Sequence, residues 1–160
     1  MKKLKQTILA IVISLTIFSN SLAIENKILF KVNNEIITSI DILTEINYLI
    51  TINSDFSKMP KNQMFEIAKK SLIREKIKEI EIKKILSEIK FKDKILDNLI
   101  LKYFKEFKIT SINEFENFFL SKNIDPNLIR KKITIEVLWN ELVYKKYQKN
   151  IKINKQLVID

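Results

Sequence analysis

Residues 123–142 read NIDPNLIRKKITIEVLWNEL, and this stretch predicts both the end of one helix and the start of another. Asn123 can end a helix in the left-handed backbone conformation that glycine usually adopts. Asp125 can cap the next helix with its side chain, and Pro126 fits the first helical position because an N–H there would lack a partner anyway. Apolar residues then recur at helical spacing: Ile135, Leu138, Trp139 and Leu142. We therefore expect a long amphipathic helix that runs to about Lys149.

Two further helices are predicted in the first half of the chain. Thr38 is a good N-cap, and Asp41 three residues later completes a short version of the capping box before a helix that ends near Asn53. The apolar stripe of this helix is expected to contain Ile40, Leu43, Ile46 and Ile50. Pro60 can begin a second, longer helix that extends to about Ile89. Its inward stripe is expected to contain Leu72, Ile73, Ile77 and Ile80.

Two shorter helices are predicted between the long ones. Asp93 can cap the first of them with its side chain. Ser111 and Glu114 stand three residues apart and match the capping box that begins many helices, so a further helix is expected after Ser111. The apolar residues of these two helices are mostly aromatic or branched: Ile95, Leu99, Tyr103, Phe104, Phe107, Phe115, Phe118 and Phe119.

A short β-hairpin is predicted before the first helix. Residues 27–32 alternate loosely between polar and apolar side chains, and Ile36 resumes the apolar run after Asn33 and Asn34. Asparagine tolerates a positive φ better than other residues with a side chain, so it can replace glycine in the tight turn. A chain of 160 residues is long enough for one domain. We therefore predict an essentially all-α domain over residues 24–160, with a hairpin followed by about five helices.

Three absences restrict the chemistry, because the sequence contains no glycine, no cysteine and no histidine. Without histidine or cysteine there is no Ser-His-Asp or Cys-His catalytic arrangement, no Cys/His zinc site and no disulfide. Without glycine there is neither a P-loop nor a dinucleotide-binding turn. We therefore expect no enzymatic activity, no cofactor and no metal. The content of 46% hydrophobic and 30% charged residues is that of a chain that folds.

The formal net charge of +10 raises the alternative of a nucleic-acid partner, and Lys145 and Lys146 lie beside the aromatic Tyr144 and Tyr147. However, lysine, isoleucine, asparagine and phenylalanine are abundant while glycine, proline and arginine are scarce, which is typical of AT-rich codons. Such a bias enriches lysine at any tolerant surface position. The lysine runs also lie within predicted helices that mix acidic and basic residues. A nucleic-acid partner is therefore not expected.

The first 23 residues have the composition of a secretory signal peptide. Three lysines precede an apolar run over residues 8–18, and the small residues Ser21 and Ala23 occupy the positions that a signal peptidase reads. The apolar run is well short of the roughly 20 residues that a membrane-spanning helix needs. We expect cleavage between Ala23 and Ile24, export to the periplasm and only transient contact with the membrane.

Three stretches carry a resemblance to a known family: VNNEIIT at residues 32–38, SLIREK at residues 71–76, and a late helix that contains Arg130 and Leu142. In this order of hairpin, long helix, short helices and final long helix, they resemble the polypeptide-binding domain of the SurA-like periplasmic chaperones. The similarity spans about residues 28–153. The sequence departs from the family at the hairpin turn and the helix ends, where asparagine stands in place of glycine.

The resemblance implies that the chain binds unfolded polypeptides, chiefly precursors of outer-membrane proteins, without ATP. The parvulin-type prolyl isomerase domain of that family has glycine and histidine features that this chain lacks, so we expect no isomerase activity. Membership of the isomerase family with residual or partner-supplied activity is the alternative enzyme hypothesis. An assay on a proline-containing tetrapeptide distinguishes the two.

The resemblance also implies where a polypeptide would bind. In the family, a helix from the distant C-terminus completes the chaperone domain, and without that helix an apolar surface between the long helices is left uncovered. An unfolded client, a second copy of the chain, a separate partner protein or residues 151–159 would cover this surface. Met64, Phe118 and Phe119 are the candidate contacts, with ordinary core packing as the alternative for each. The same two interpretations apply to Trp139.

Overall fold

The structure is a computed structural model that describes residues 26–148. The signal peptide with its cleavage site after Ala23, and the segment 151–159, lie outside these residues. The architecture is a short antiparallel hairpin followed by five α-helices, which is the fold class expected from the sequence. The helices are α1 (Ser39–Ile52), α2 (Lys61–Lys83), α3 (Asp93–Tyr103), α4 (Ile112–Leu120) and α5 (Pro126–Tyr147). Short 3₁₀ helices follow α1 and α3, at Ser54–Lys58 and Lys105–Phe107.

The hairpin consists of β1 (Ile28–Val32) and β2 (Glu35–Thr38). Its turn contains Asn33 at a φ of 54°, the left-handed conformation that the sequence assigned to an asparagine here. Phe30 and Ile37 pair across the two strands and pack on the face that meets α1 and α2. This inward face attaches the hairpin to the helical body.

The predicted caps of three helices are confirmed. The Thr38 hydroxyl accepts the backbone N–H of Asp41 at 3.3 Å, and the Asp41 carboxylate accepts the backbone N–H of Thr38 at 2.7 Å, which completes the capping box of α1. Ser111 caps α4, and Asp125 caps α5 directly before its first-position proline. Asn123 has a φ of 56° between these two helices, as predicted. Each of these signals lies within a few residues of the feature it specifies.

Two predicted helix boundaries are wrong. α2 ends at Lys83 rather than near Ile89, because the backbone N–H groups of Ile85 and Leu86 both bond to one carbonyl of the last turn and close the helix. The apolar periodicity continues because Ile89 packs back onto the core after the chain has left the helix axis. Asp93 is the first residue of α3 rather than its cap, and it makes no capping bond.

The inward faces of two helices also differ from the prediction. Three residues expected on the apolar stripes of α1 and α2 have exposed fractions between 43% and 46%: Ile40, Leu43 and Ile77. α1 and α2 carry apolar residues on more than one side, so apolar periodicity alone does not determine which side meets the core. The sides that do so contain Glu45 and Glu79, which are only 2% and 4% exposed. Lysines from α5 pair with both carboxylates and make their burial possible.

The core consists of three clusters of buried side chains. One lies between α3, α4 and α5 and is rich in phenylalanine: Phe104 and Phe115 each lie against Phe119, with ring centroids 5.2 and 5.1 Å apart. A second joins the hairpin to α1 and α2 around Ile37 and Ala68. The third, where α2 meets α5, contains Ile82, Ile135 and Leu138. α2 and α5 therefore connect the two ends of the molecule.

Candidate functional site

An open cleft with a volume of about 560 Å³ lies between α1, α2, α5 and the end of α3. It combines an aromatic and aliphatic wall with a set of charged side chains. The wall consists of Tyr48, Ile52, Tyr103, Phe104, Phe107, Ile133 and Ile135. The polar side chains are Glu45, Ser71, Arg74, Glu75, Lys78, Lys132 and Glu136. We refer to these fourteen residues as the cleft.

Three helices contribute to a buried polar network at the base of the cleft. Lys132 of α5 contacts Glu45 of α1 at 2.6 Å and also bonds to Glu75 of α2. The Ser71 hydroxyl donates to the other oxygen of Glu45 at 2.7 Å. The ammonium of Lys132 also lies 5.3 Å from the centre of the Tyr48 ring. One cation thus joins two carboxylates and fixes the helices around the cleft.

The electrostatics of this network keep Lys132 and Tyr48 in their ordinary ionisation states. Burial lowers the pKa of Lys132, but the carboxylates of Glu45 and Glu75 outweigh it and hold that pKa above its usual value. Burial has the opposite effect on the Tyr48 hydroxyl and raises its pKa. At neutral pH Lys132 is therefore an ammonium ion and Tyr48 a neutral phenol, so neither acts as a nucleophile or a general base.

The mouth of the cleft exposes aromatic surface beside an unpaired cation. Tyr103 is 55% exposed, and Phe107 is half-buried next to it. Lys78 forms an ion pair with Glu136 across α2 and α5. Arg74 is exposed and, among residues 26–148, no carboxylate lies within ion-pair distance of its guanidinium. The cleft can therefore offer both apolar contact and a free positive charge.

A second polar cluster, around Glu79 of α2, has a structural role. The buried carboxylate of Glu79 lies 2.9 Å from Lys83 and 3.1 Å from Lys131 of α5. Burial raises the pKa of Glu79, but hydrogen bonds from Lys83 and Lys131 lower it by a larger amount. The pKa of Glu79 therefore lies below its ordinary value. A hydrogen bond from Lys76 likewise lowers the pKa of Glu35 in the hairpin. These contacts attach the hairpin and α5 to α2.

The structure places none of the three predicted contact residues in the lining of the cleft. Phe119 is fully buried in the phenylalanine cluster, and Met64 is 9% exposed in the first turns of α2. Phe118 is half-buried, and its ring centroid lies 5.7 Å from that of Phe107, which does line the cleft. Phe118 therefore packs against one residue of the cleft wall, and binding through any of the three residues stays a prediction.

Little in the sequence distinguishes the residues of the cleft from other helix residues. Glu45, Glu75 and Lys132 lie on helices that are far apart in the chain and carry many other charged residues. Only the buried position of Glu45 within an otherwise apolar face of α1 distinguishes it, and that face is known only from the structure. Trp139, also considered as an interface residue, packs partly buried against the cluster between α2 and α5.

Over residues 26–148, no three acidic side chains come together in a way that could hold a metal ion. Nor does that part of the chain contain a helix with the length and hydropathy needed to cross a membrane. Comparison with known protein families, with curated proteins and with solved structures finds no match to this chain. The resemblance to the SurA-like chaperones therefore stays a prediction from sequence.

Proposed function

We propose that this chain is a periplasmic, ATP-independent, chaperone-like protein that binds unfolded polypeptide segments and has no isomerase activity. The observation that carries the proposal is the open cleft, in which exposed aromatic surface lies beside a rigid network of charges. Its volume of about 560 Å³ is that of a site for a few side chains. Precursors of outer-membrane proteins are the clients that the family resemblance implies.

The physical basis of such binding is reversible burial of apolar surface. Tyr103 and Phe107 offer aromatic area to a client side chain, and each such contact stabilises the complex through area removed from water. The base of the cleft does not need to rearrange, because Lys132 already holds Glu45 and Glu75 in place. A preformed site loses less entropy when it binds a client than a flexible one does.

An aggregation assay tests this proposal. We expect the protein without its leader to reduce the light scattering of an unfolded porin at stoichiometric concentrations. Tyr103→Ala should weaken client binding by about fivefold, equivalent to roughly 1 kcal/mol, because it removes exposed aromatic surface from the cleft mouth. Tyr144→Ala is the matched control, since Tyr144 is similarly exposed at 63% but does not line the cleft.

Two results would contradict the proposal. Equal effects of Tyr103→Ala and Tyr144→Ala on client binding would show that the cleft is not the binding site. If the unmodified protein does not reduce the scattering, the proposed chaperone function is wrong. Turnover of a proline-containing tetrapeptide would instead favour the isomerase alternative.

Mass spectrometry of the N-terminus tests the proposed periplasmic location. The predicted cleavage after Ala23 gives a mature chain that begins IENKILF. Mass spectrometry of the protein from a periplasmic fraction should find this N-terminus. Recovery of the intact leader in the cytoplasmic fraction would count against export.

A second copy of the chain is the alternative occupant of exposed apolar surface. Several large apolar side chains of the hairpin and α1 are exposed and lie outside the cleft: Ile28, Ile36, Ile40 and Leu43. A dimer through these residues would leave the cleft open to a client. Light scattering coupled to size-exclusion chromatography measures the mass directly, and a monomer over the working concentration range would exclude such a dimer.

A further inference from the structure

We propose that the cleft selects polypeptide segments in which a carboxylate side chain lies next to a large apolar residue, with Arg74 as the carboxylate-binding group. This inference rests on the proposed polypeptide-binding function and adds the chemistry of the preferred segment. Its basis is the distribution of charge within the cleft and the placement of Arg74 on α2.

The three cations of the cleft have different surroundings. Lys132 contacts two carboxylates, those of Glu45 and Glu75, and is buried with them. Lys78 forms its ion pair with Glu136 at the rim. Arg74 remains as the cation that has no carboxylate partner among the described residues. Any carboxylate that enters the cleft would therefore meet one cation whose donors are not already engaged by an acid.

The helical position of Arg74 directs it to the same side as the other polar residues of the cleft. Ser71, Arg74, Glu75 and Lys78 are spaced three, four and seven residues along α2, so they form one stripe on the helix surface. All four line the cleft. Arg74 is nevertheless exposed, which places its guanidinium at the opening, on the same cleft as the exposed ring of Tyr103. An aromatic ring and a guanidinium at one opening complement a segment with an apolar and an acidic side chain.

A carboxylate matches this arrangement better than a phosphate does. The planar guanidinium can bond to two oxygens of either group, so the surrounding charge decides between them. Glu75 and Glu136 also line the cleft and repel negative charge, so a doubly charged phosphate would lose more binding energy to this repulsion than a singly charged carboxylate. We therefore assign the site to aspartate or glutamate side chains of a client and not to phosphorylated groups.

Dye-labelled peptides of one scaffold test the inference by fluorescence anisotropy. Each peptide contains the same aromatic residues and differs at one adjacent position, which is Glu, Gln or Lys. We expect the Glu peptide to bind about fivefold more tightly than the Gln peptide at low ionic strength, as a charge-assisted contact at a partly solvated site should. Arg74→Glu should abolish this preference and make the Lys peptide the tightest binder.

Lys61→Glu is the matched control, because it makes the same change of charge on the same helix. Lys61 is exposed at the start of α2, about 20 Å from Arg74 along the helix axis, and does not line the cleft. The Glu preference should persist in this variant. Its loss in both variants would show that net charge alone decides, and would overturn the role of Arg74.

The two proposals fail in different ways. Equal binding of the Glu and Gln peptides by the unmodified protein would overturn the carboxylate preference while leaving polypeptide binding intact. Binding of none of the peptides, together with no effect on porin aggregation, would overturn the proposed function as a whole. Circular dichroism of each variant confirms that the helices are retained before the affinities are compared.

Discussion

At the scale of single residues, Lys132 is the cation that makes the burial of Glu45 possible. It lies 2.6 Å from Glu45, a carboxylate that is 2% exposed, and it also bonds to Glu75. A buried carboxylate is tolerated only when a cation and hydrogen bonds replace its water. The remaining hydrogen bond from Ser71 would not compensate for the loss of this cation.

Lys132→Met should therefore lower the free energy of unfolding by about 3–5 kcal/mol, since it leaves Glu45 buried without its cation. Urea denaturation followed by circular dichroism measures the change. Lys145→Met is the control, because Lys145 pairs with Glu141 in solvent and its loss should cost at most about 1 kcal/mol. The double variant Lys132→Met/Glu45→Met should recover much of the stability. A loss below about 1 kcal/mol for the single variant would contradict the structural role of the network.

At the scale of elements, the absence of glycine leaves Lys108 in a strained backbone conformation. Lys108, which ends the short 3₁₀ helix after α3, has a φ of 60°. Asn33 and Asn123 also have positive φ values, but asparagine tolerates this conformation and lysine does so less well. Lys108 therefore holds a backbone conformation that glycine would adopt without steric cost.

Lys108→Gly should raise the free energy of unfolding by about 0.5–1 kcal/mol, because relief of the left-handed conformation exceeds the entropy that glycine loses on folding. The thermal midpoint measured by circular dichroism checks this. Lys102→Gly makes the same chemical change in the last turn of α3 and should instead destabilise by up to about 1 kcal/mol. Destabilisation by both changes would show that the turn at Lys108 is not strained.

The elements also show which parts of the fold were predictable. The hairpin turn at Asn33 and the caps at Thr38, Ser111 and Asp125 depend on residues a few positions apart, so the sequence predicted them correctly. The end of α2 was misplaced because apolar residues continue past Lys83 and serve a different packing role there.

The cleft was not predictable for a related reason. The buried side of α1 is decided by the pairing of Glu45 with Lys132, which lies on the last helix. Sequence patterns place acidic residues on the solvent side of a helix, and only the tertiary contact reverses this. The three predicted contact residues have aromatic or flexible side chains, a property that core residues share.

At the scale of the whole molecule, ion pairs connect elements that the apolar clusters of the core also join. Glu35 of the hairpin contacts Lys76 of α2, and Arg130 of α5 contacts Asp97 of α3 at 2.7 Å and Glu116 of α4 at 3.4 Å. Many lysines of this basic chain therefore have acidic partners within the fold. Their pairing makes the stability of the whole domain depend on the ionisation of its carboxylates.

Stability should fall as the solution becomes acidic. The pKa values of Glu35 and Glu79 are lower in the folded protein than their ordinary value of 4.5, so unfolding takes up protons. Their contribution is fully present above that value and is lost as the pH falls through the lower folded-state pKa values. The urea midpoint should accordingly decrease between pH 7 and about pH 3.

Glu79→Gln should reduce this acid sensitivity, because its side chain no longer titrates. Glu106→Gln is the control, since Glu106 is exposed and makes no ion pair within residues 26–148. The slope of stability against pH should change only in the Glu79 variant. The same slope in both variants would show that Glu79 does not contribute to the acid sensitivity.

The position of Trp139 has a practical consequence. It is the single tryptophan of the sequence, and it packs against the cluster that joins α2 to α5 rather than lining the cleft. Its indole emission therefore monitors the junction of the two longest helices, which shares Ile135 with the wall of the cleft. A wavelength shift on addition of a client would show that this junction responds to binding, whereas an unchanged spectrum alongside tight binding would show that α2 and α5 keep their packing.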